Sequence, residues 1–153
     1  MPSTSATVDI ETAARLRAAI GRLSRRLRPT AAGAAAGLTP TRVTVLLDVV
    51  RRGPARLADV ASAEGINPTM LSRVVADLVE AGLIERANDE LDRRTVWVKA
   101  TPAGRRLAER MRRERTDAVN VALEGLTEAE RQMVQRALPA LEALAEQLGS
   151  ERG

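Results

Sequence analysis

The chain has 153 residues and 44% apolar content, enough material for one domain with a core. Cysteine and histidine are both absent, which excludes disulfides, thiol redox chemistry, histidine acid–base catalysis and soft-metal ligation. The formal net charge of +4 arises entirely in residues 1–39, where six Arg face Asp9 and Glu11, because residues 40–101 and 102–153 each carry nine charges of either sign.

Bulk charge this small does not identify a nucleic-acid partner; only its arrangement could. No acidic cluster has a spacing that suggests catalysis, so no catalytic, cofactor or metal residue is assigned and an enzyme is not expected. The best apolar run, VTVLLDVV (Val43 to Val50), is broken by Asp48 and is too short to span a bilayer. The start, MPSTSATVDIE, lacks the basic patch and apolar stretch of a secretory signal. A soluble, cytoplasmic protein without a membrane partner is expected.

In chain order, the first predicted element is an amphipathic helix from Ile10 to Leu27. Leu16, Ile20, Leu23 and Leu27 form one apolar stripe, with Arg15, Arg22 and Arg26 on a neighbouring one. Those arginines read more simply as a solvated face than as ligand contacts. Residues 28–37 form a Pro/Gly/Ala connector, part of which could be helical. Thr39 and Pro40 then open a second helix as N-cap and first residue, and Gly53-Pro54 ends it.

The stretch ARLADVASAEGINPTMLSRVVADLVEAGLIER reads as a short helix over residues 56–63, burying Leu57, Val60 and Ala61, then a turn at Gly65 and a second helix. Asn67 caps this second helix, Pro68 takes its first position, and Gly82 ends it. That is the helix-turn-helix arrangement. On the second helix Leu71, Val74, Val75 and Leu78 point inward, while Thr69, Arg73, Ala76 and Glu80 point away with Ser72 alongside. Asn67, Thr69, Ser72 and Arg73 place hydrogen-bonding groups near its start, which suits a recognition helix in a major groove. Asp77 and Glu80 sit toward its end and would repel phosphate. An exposed helix of an ordinary bundle would also show polar residues here.

Two strands follow, over residues 83–87 and 95–100, with Val96, Val98 and Ala100 on one side and Thr95, Trp97 and Lys99 on the other. A hairpin directly after a helix-turn-helix is a wing. Its tip carries Arg93 and Arg94 behind Asp92. Arginine suits the narrow, electronegative minor groove, with Asp92 as an orienting group that holds Arg94 extended. A charged hairpin can equally serve to discourage aggregation. Thr101-Pro102 caps a long helix ending near residues 123–125, and Thr127-Glu128-Ala129-Glu130 is a capping box for a last helix. Val134, Leu138, Leu141, Ala145 and Leu148 form its apolar stripe, and Pro139 inside it should kink it or break its ladder.

The order and spacing of LTPTRVTVLLDVV, RLADVA, LSRVVADLVEAGLIER and DRRTVWVKATPAGRRL resemble the MarR family of multiple antibiotic resistance regulators. The most specific part is GLIER followed by Asp-x-Arg and a strand ending in Thr-Pro-x-Gly. The resemblance implies a mainly α fold with a small β wing across residues 1–153: a winged helix-turn-helix lobe over 40–101, with dimerisation helices at 9–28 and 102–149. It implies a homodimer that binds double-stranded DNA at a pseudo-palindromic operator, most often as a repressor, with Asp92 pairing with Arg94 and Arg94 in the minor groove. Arg93, Arg56 and Thr41 are candidate phosphate contacts, and Trp97 packs on the wing's outer side. A small-molecule effector is a further possible partner. With no Phe, Tyr or Cys, its pocket would be lined by Leu, Val, Ala, Met and Arg, and cysteine-based sensing is excluded. The alternative is a winged-helix protein-interaction module without DNA binding, which the even charge of residues 40–101 favours.

Overall fold

The computed structural model describes residues 9–89 and 95–150 of the chain. Contacts divide the chain into two compact units, one up to Arg115 and one from Thr116 onward.

In the first unit, α1 (Ile10–Leu27) begins at Asp9, whose carboxylate accepts from the Glu11 amide at 3.1 Å. No residue of α1 is buried within its own unit. The connector contains a one-turn helix, α2 (Ala31–Ala35), capped by Thr30. The two oxygens of the Glu114 carboxylate also accept from the Ala32 amide at 3.0 and 3.3 Å, so a distant acid satisfies an orphan donor in a stretch that composition alone would leave open. α3 (Pro40–Arg52) starts as expected, with Thr39 Oγ1 accepting from the Arg42 amide at 3.4 Å.

Gly53 and Pro54 are followed by a two-residue strand, β1 (Ala55–Arg56), which the sequence reading did not anticipate. It leads into α4 (Leu57–Glu64), with Arg56 at the N-cap position, and then α5 (Pro68–Glu80). The hairpin strands are β2 (Ile84–Asn88) and β3 (Val96–Ala100), each starting one residue later than the sequence suggested. β3 lies between the other two, antiparallel to both, with Ala55 opposite Val98, Arg56 opposite Trp97, and Ile84 opposite Ala100. Leu46 of α3, Val60 of α4, Leu71 and Leu78 of α5, Ile84 of β2 and Val98 of β3 are fully buried. A small lobe thus acquires a core from both the helix pair and the wing.

α6 (Pro102–Glu124) joins this core through Leu107 and Met111. Its first turn explains the Thr-Pro-x-Gly signature. The Thr101 hydroxyl accepts from the Gly104 amide at 3.0 Å and donates to the Gly82 carbonyl at 2.7 Å, and the Thr101 amide donates to the Leu83 carbonyl at 3.0 Å. These bonds draw the helix so close to residue 83 that a Cβ on Gly104 would lie 2.1 Å from the Leu83 carbonyl oxygen. Glycine is required there by space, not by dihedral angle.

The second unit holds the end of α6 and α7 (Glu128–Ser150). The capping box forms: the Glu130 carboxylate accepts from the Thr127 amide at 2.9 Å, and Thr127 Oγ1 accepts from the Glu130 amide at 3.3 Å. α7 is continuous through Pro139. The missing N–H removes one ladder bond, and the turns on either side carry the helix on. Val134, Leu138, Leu141 and Leu148 stay exposed within this unit.

Candidate nucleic-acid interface

The helix pair is set by its turn. Gly65 adopts φ 62°, the left-handed conformation that glycine takes without strain, and the Ile66 amide bonds back to the Ala61 carbonyl at 3.0 Å. Two residues on, Asn67 Oδ1 accepts from the Thr69 amide at 2.8 Å, so α5 starts sharply. Asn67 is therefore at least a cap, and its side chain remains exposed. Leu71, Val74, Val75 and Leu78 are buried, as the spacing implies. Thr69, Arg73, Ala76 and Glu80 are exposed and Ser72 is half-buried. The exposed face also includes Met70, 53% accessible, which the polar pattern passed over. A large apolar side chain left in solvent beside hydrogen-bonding neighbours was the available signal.

The even charge count of this lobe conceals how the charges are paired. Asp77 does not stand as a free repulsive charge, contrary to the sequence reading: Arg42 reaches across from α3, with Nε at 3.1 Å and Nη2 at 2.5 Å from Asp77 Oδ2. The pair is partly solvated, so it adds little stability, but it offsets one of the two acids of α5 and leaves Glu80 exposed. Residues 35 apart in sequence gave no sign of it. Asp48, 4% exposed, is held by Arg51 and, at 2.7 Å, by Arg52. Glu85 pairs with Lys99 across the wing at 3.0 Å. Asp48, Asp77 and Glu85 are thus paired within the lobe, whereas exposed Arg56, Arg73 and Arg86, like exposed Asp59 and Glu80, enter no ion pair among the described residues.

An open cleft of about 780 Å³ lies between α4, the start of α5 and the start of β3, and it brings together Arg56, Asn67 and Ser72 with Thr95 and Val96 of the wing. Thr69 and Arg73 lie on the adjoining exposed face of α5. Thr41, half-buried in the first turn of α3, does not line the cleft. Asp92, Arg93 and Arg94 lie outside the described residues. The outer face of the sheet carries Trp97 between Arg56 and Ala87, in keeping with the outward side assigned from alternation.

A second cavity of about 600 Å³ is lined by α1, α3, α4 and α6, with Leu27, Val43 and Leu47 facing Glu64, Arg112 and Arg115. Aliphatic and arginine side chains dominate it, joined by the acids Asp48 and Glu64. Arg115 Nε is buried there and has no hydrogen-bond partner among the described residues. Burial, and then the Asp48 carboxylate, push the Glu64 carboxyl above its ordinary value, against the pull of Arg51 and Arg52. A folded-state value raised in this way means that stability is lost as pH rises from 4.5 through the raised value. Glu64→Gln is therefore expected to raise the thermal midpoint at neutral pH, and the gain should shrink below the ordinary carboxylate range. Identical midpoints for the two proteins at neutral pH would contradict this.

Among the described residues, no group of three or more His, Cys, Asp or Glu side chains could hold a metal ion, and no helix is long and apolar enough to cross a membrane. The sequence model described as the MarR family matches residues 38–96. The HTH-type transcriptional regulator MT0903.1 of Mycobacterium tuberculosis is 28% identical over 139 residues, 91% of this chain and 96% of that protein. The structure of RV1404 from the same species superposes with a TM-score of 0.75 at 28% identity, covering 92% of this chain and 95% of that one. Streptococcus pneumoniae FabT, solved in complex with DNA, superposes with a TM-score of 0.65 over 88% of this chain and 97% of its own, at 18% identity. That last likeness concerns the fold alone.

Proposed function

The chain belongs to the MarR family of winged helix-turn-helix transcriptional regulators, and from that premise we propose that it is a homodimeric repressor of a pseudo-palindromic operator. The observation that carries this reading is the front of α5, where Thr69, Met70 and Arg73 are exposed while Arg42 cancels Asp77 behind them. A guanidinium can read guanine and an apolar group can meet a thymine methyl in the major groove. Arg94 enters the flanking minor groove with Asp92 orienting it, and Arg93 and Arg56 meet phosphates, with Thr41 the weakest member of the set. Repression follows from occlusion of a promoter.

The dimer rests on leftover apolar surface. Ile20 and Leu23 of α1 are 46% and 60% exposed, and Met133 and Leu138 of α7 are 57% and 47% exposed. Apolar stripes of this kind normally seek a partner. Effector release rests on the cavity beside Arg115, whose orphan Nε–H suits an aliphatic carboxylate.

Selecting bound duplexes from random DNA tests the reading. The expected product is an inverted repeat with half-sites about 10 bp apart centre to centre, bound by a species of twice the 16.4 kDa chain mass. A monomer, or no enriched sequence at low salt, would remove it. Dissociation of the complex by an aliphatic carboxylate tests the effector half.

A further inference from the structure

We propose that Trp97 is a positioning residue for DNA binding: its indole holds the Arg56 guanidinium at the mouth of the cleft, where that charge meets a backbone phosphate. The inference rests on the DNA-binding reading above and adds a residue that no groove contact would require. Arg56 Cζ lies 5.5 Å from the centre of the Trp97 ring. The two residues are also direct partners across β1 and β3, so the backbone ladder sets their approach. The ring is fixed from its other side as well, because Trp97 Nε1–H donates to Asp89 Oδ2 at 3.0 Å. Asp89 in turn closes the base of the hairpin, its amide donating to the Thr95 carbonyl at 2.9 Å. The indole is therefore a shelf held at two points.

A guanidinium held over an aromatic face by a cation–π contact spends none of its N–H groups on an acceptor, so they remain available to a phosphate. Among the described residues no ion pair claims those donors. The arginine has also lost much of its rotamer freedom before the nucleic acid arrives, which lowers the cost of the contact. Its position suits the task. Arg56 is the N-cap of α4, the first helix of the helix-turn-helix, which in such lobes crosses the backbone. It borders the same cleft as Asn67 and Ser72. The two-residue strand that seemed a minor addition to the wing is what aligns the pair.

The test uses anisotropy of the labelled, selected duplex with the full chain and with Arg56→Gln, Trp97→Leu, Trp97→Phe and the Arg56→Gln/Trp97→Leu double variant. Arg56→Gln should lower the salt slope by about one unit per lost contact. Trp97→Leu should weaken binding roughly two- to fivefold, the worth of a cation–π contact, and Trp97→Phe, which keeps an aromatic face but loses the bond to Asp89, should lose less than Trp97→Leu. In the Arg56→Gln background Trp97→Leu should cost nothing more, whereas a purely structural tryptophan would cost the same in both backgrounds. Equal, additive losses overturn the proposal. A second readout needs neither DNA nor the leucine variant: Arg56→Gln should shift the emission of the single tryptophan in the free protein, and an unchanged spectrum overturns the proposal while leaving the DNA reading intact. A parent protein that binds no duplex removes both.

Discussion

Gly104→Ala is expected to lower the urea midpoint of unfolding far below that of the parent chain. The added methyl would sit 2.1 Å from the Leu83 carbonyl oxygen, 3.0 Å from its carbon and 3.3 Å from Leu46 Cδ1. Two of those three neighbours are backbone. Leu83 cannot withdraw easily, because its carbonyl accepts from the Thr101 amide and its own amide donates to Leu78 at 2.9 Å. The start of α6 cannot withdraw either without breaking the Thr101 hydroxyl bonds to Gly82 and Gly104. Overpacking against backbone costs on the order of 3 kcal/mol or more, out of a total stability of about 5–15 kcal/mol for an ordinary domain. Ala103→Gly, one residue away on the exposed side of the same helix, supplies the comparison, with an expected cost of about 1 kcal/mol from helix propensity alone. Urea titration followed by helical dichroism measures both. Should Gly104→Ala shift the midpoint no further than Ala103→Gly, the close approach of α6 to residue 83 is not as described.

Arg73→Ala combined with Arg94→Ala is expected to abolish operator binding at concentrations that saturate the parent. A groove-reading arginine contributes roughly 1–3 kcal/mol, and in the proposed symmetric dimer each loss would occur twice. Arg73 is exposed on α5 and in no ion pair among the described residues, so removing it leaves no buried partner stranded and the fold should survive. The singles separate two roles. Arg73→Ala should relax base preference at one position of each half-site, whereas Arg94→Ala should weaken binding mainly to sites flanked by A·T-rich minor grooves. The salt slope should fall by about one unit per lost contact. Full operator affinity in a folded double variant would leave the protein-interaction reading as the better one. The Arg42–Asp77, Asp48–Arg51–Arg52 and Glu85–Lys99 pairs take up four cations and three acids of residues 40–101 and leave no positive excess, so the DNA reading rests on where Arg56 and Arg73 lie and not on the charge count.

Elements whose ends are written in local chemistry were legible from residues alone. Thr39-Pro40, Asn67-Pro68 and Thr127 with Glu130 cap the helices they were assigned to, since a cap and its helix lie within three residues of each other. The inward face of α5 was legible for the same reason: Leu71, Val74, Val75 and Leu78 repeat with the helical period. At Pro139 the lost ladder bond was legible from the missing donor, but not that the flanking turns hold α7 together across it. β1 was missed because two residues carry no periodicity, and only Val98 and Trp97 opposite them make a strand of Ala55 and Arg56.

The sequence by itself determined where helices begin, which face of α5 turns inward and that cysteine and histidine chemistry play no part. Tertiary structure decided which charges remain available. Arg42 and Asp77 are 35 positions apart, Arg56 and Trp97 meet only across a sheet, and Gly104 is constrained by Leu83. Each of these depends on through-space distances of a few ångströms between segments whose separation along the chain carries no signal, and so folding had to bring them together before their roles could be read.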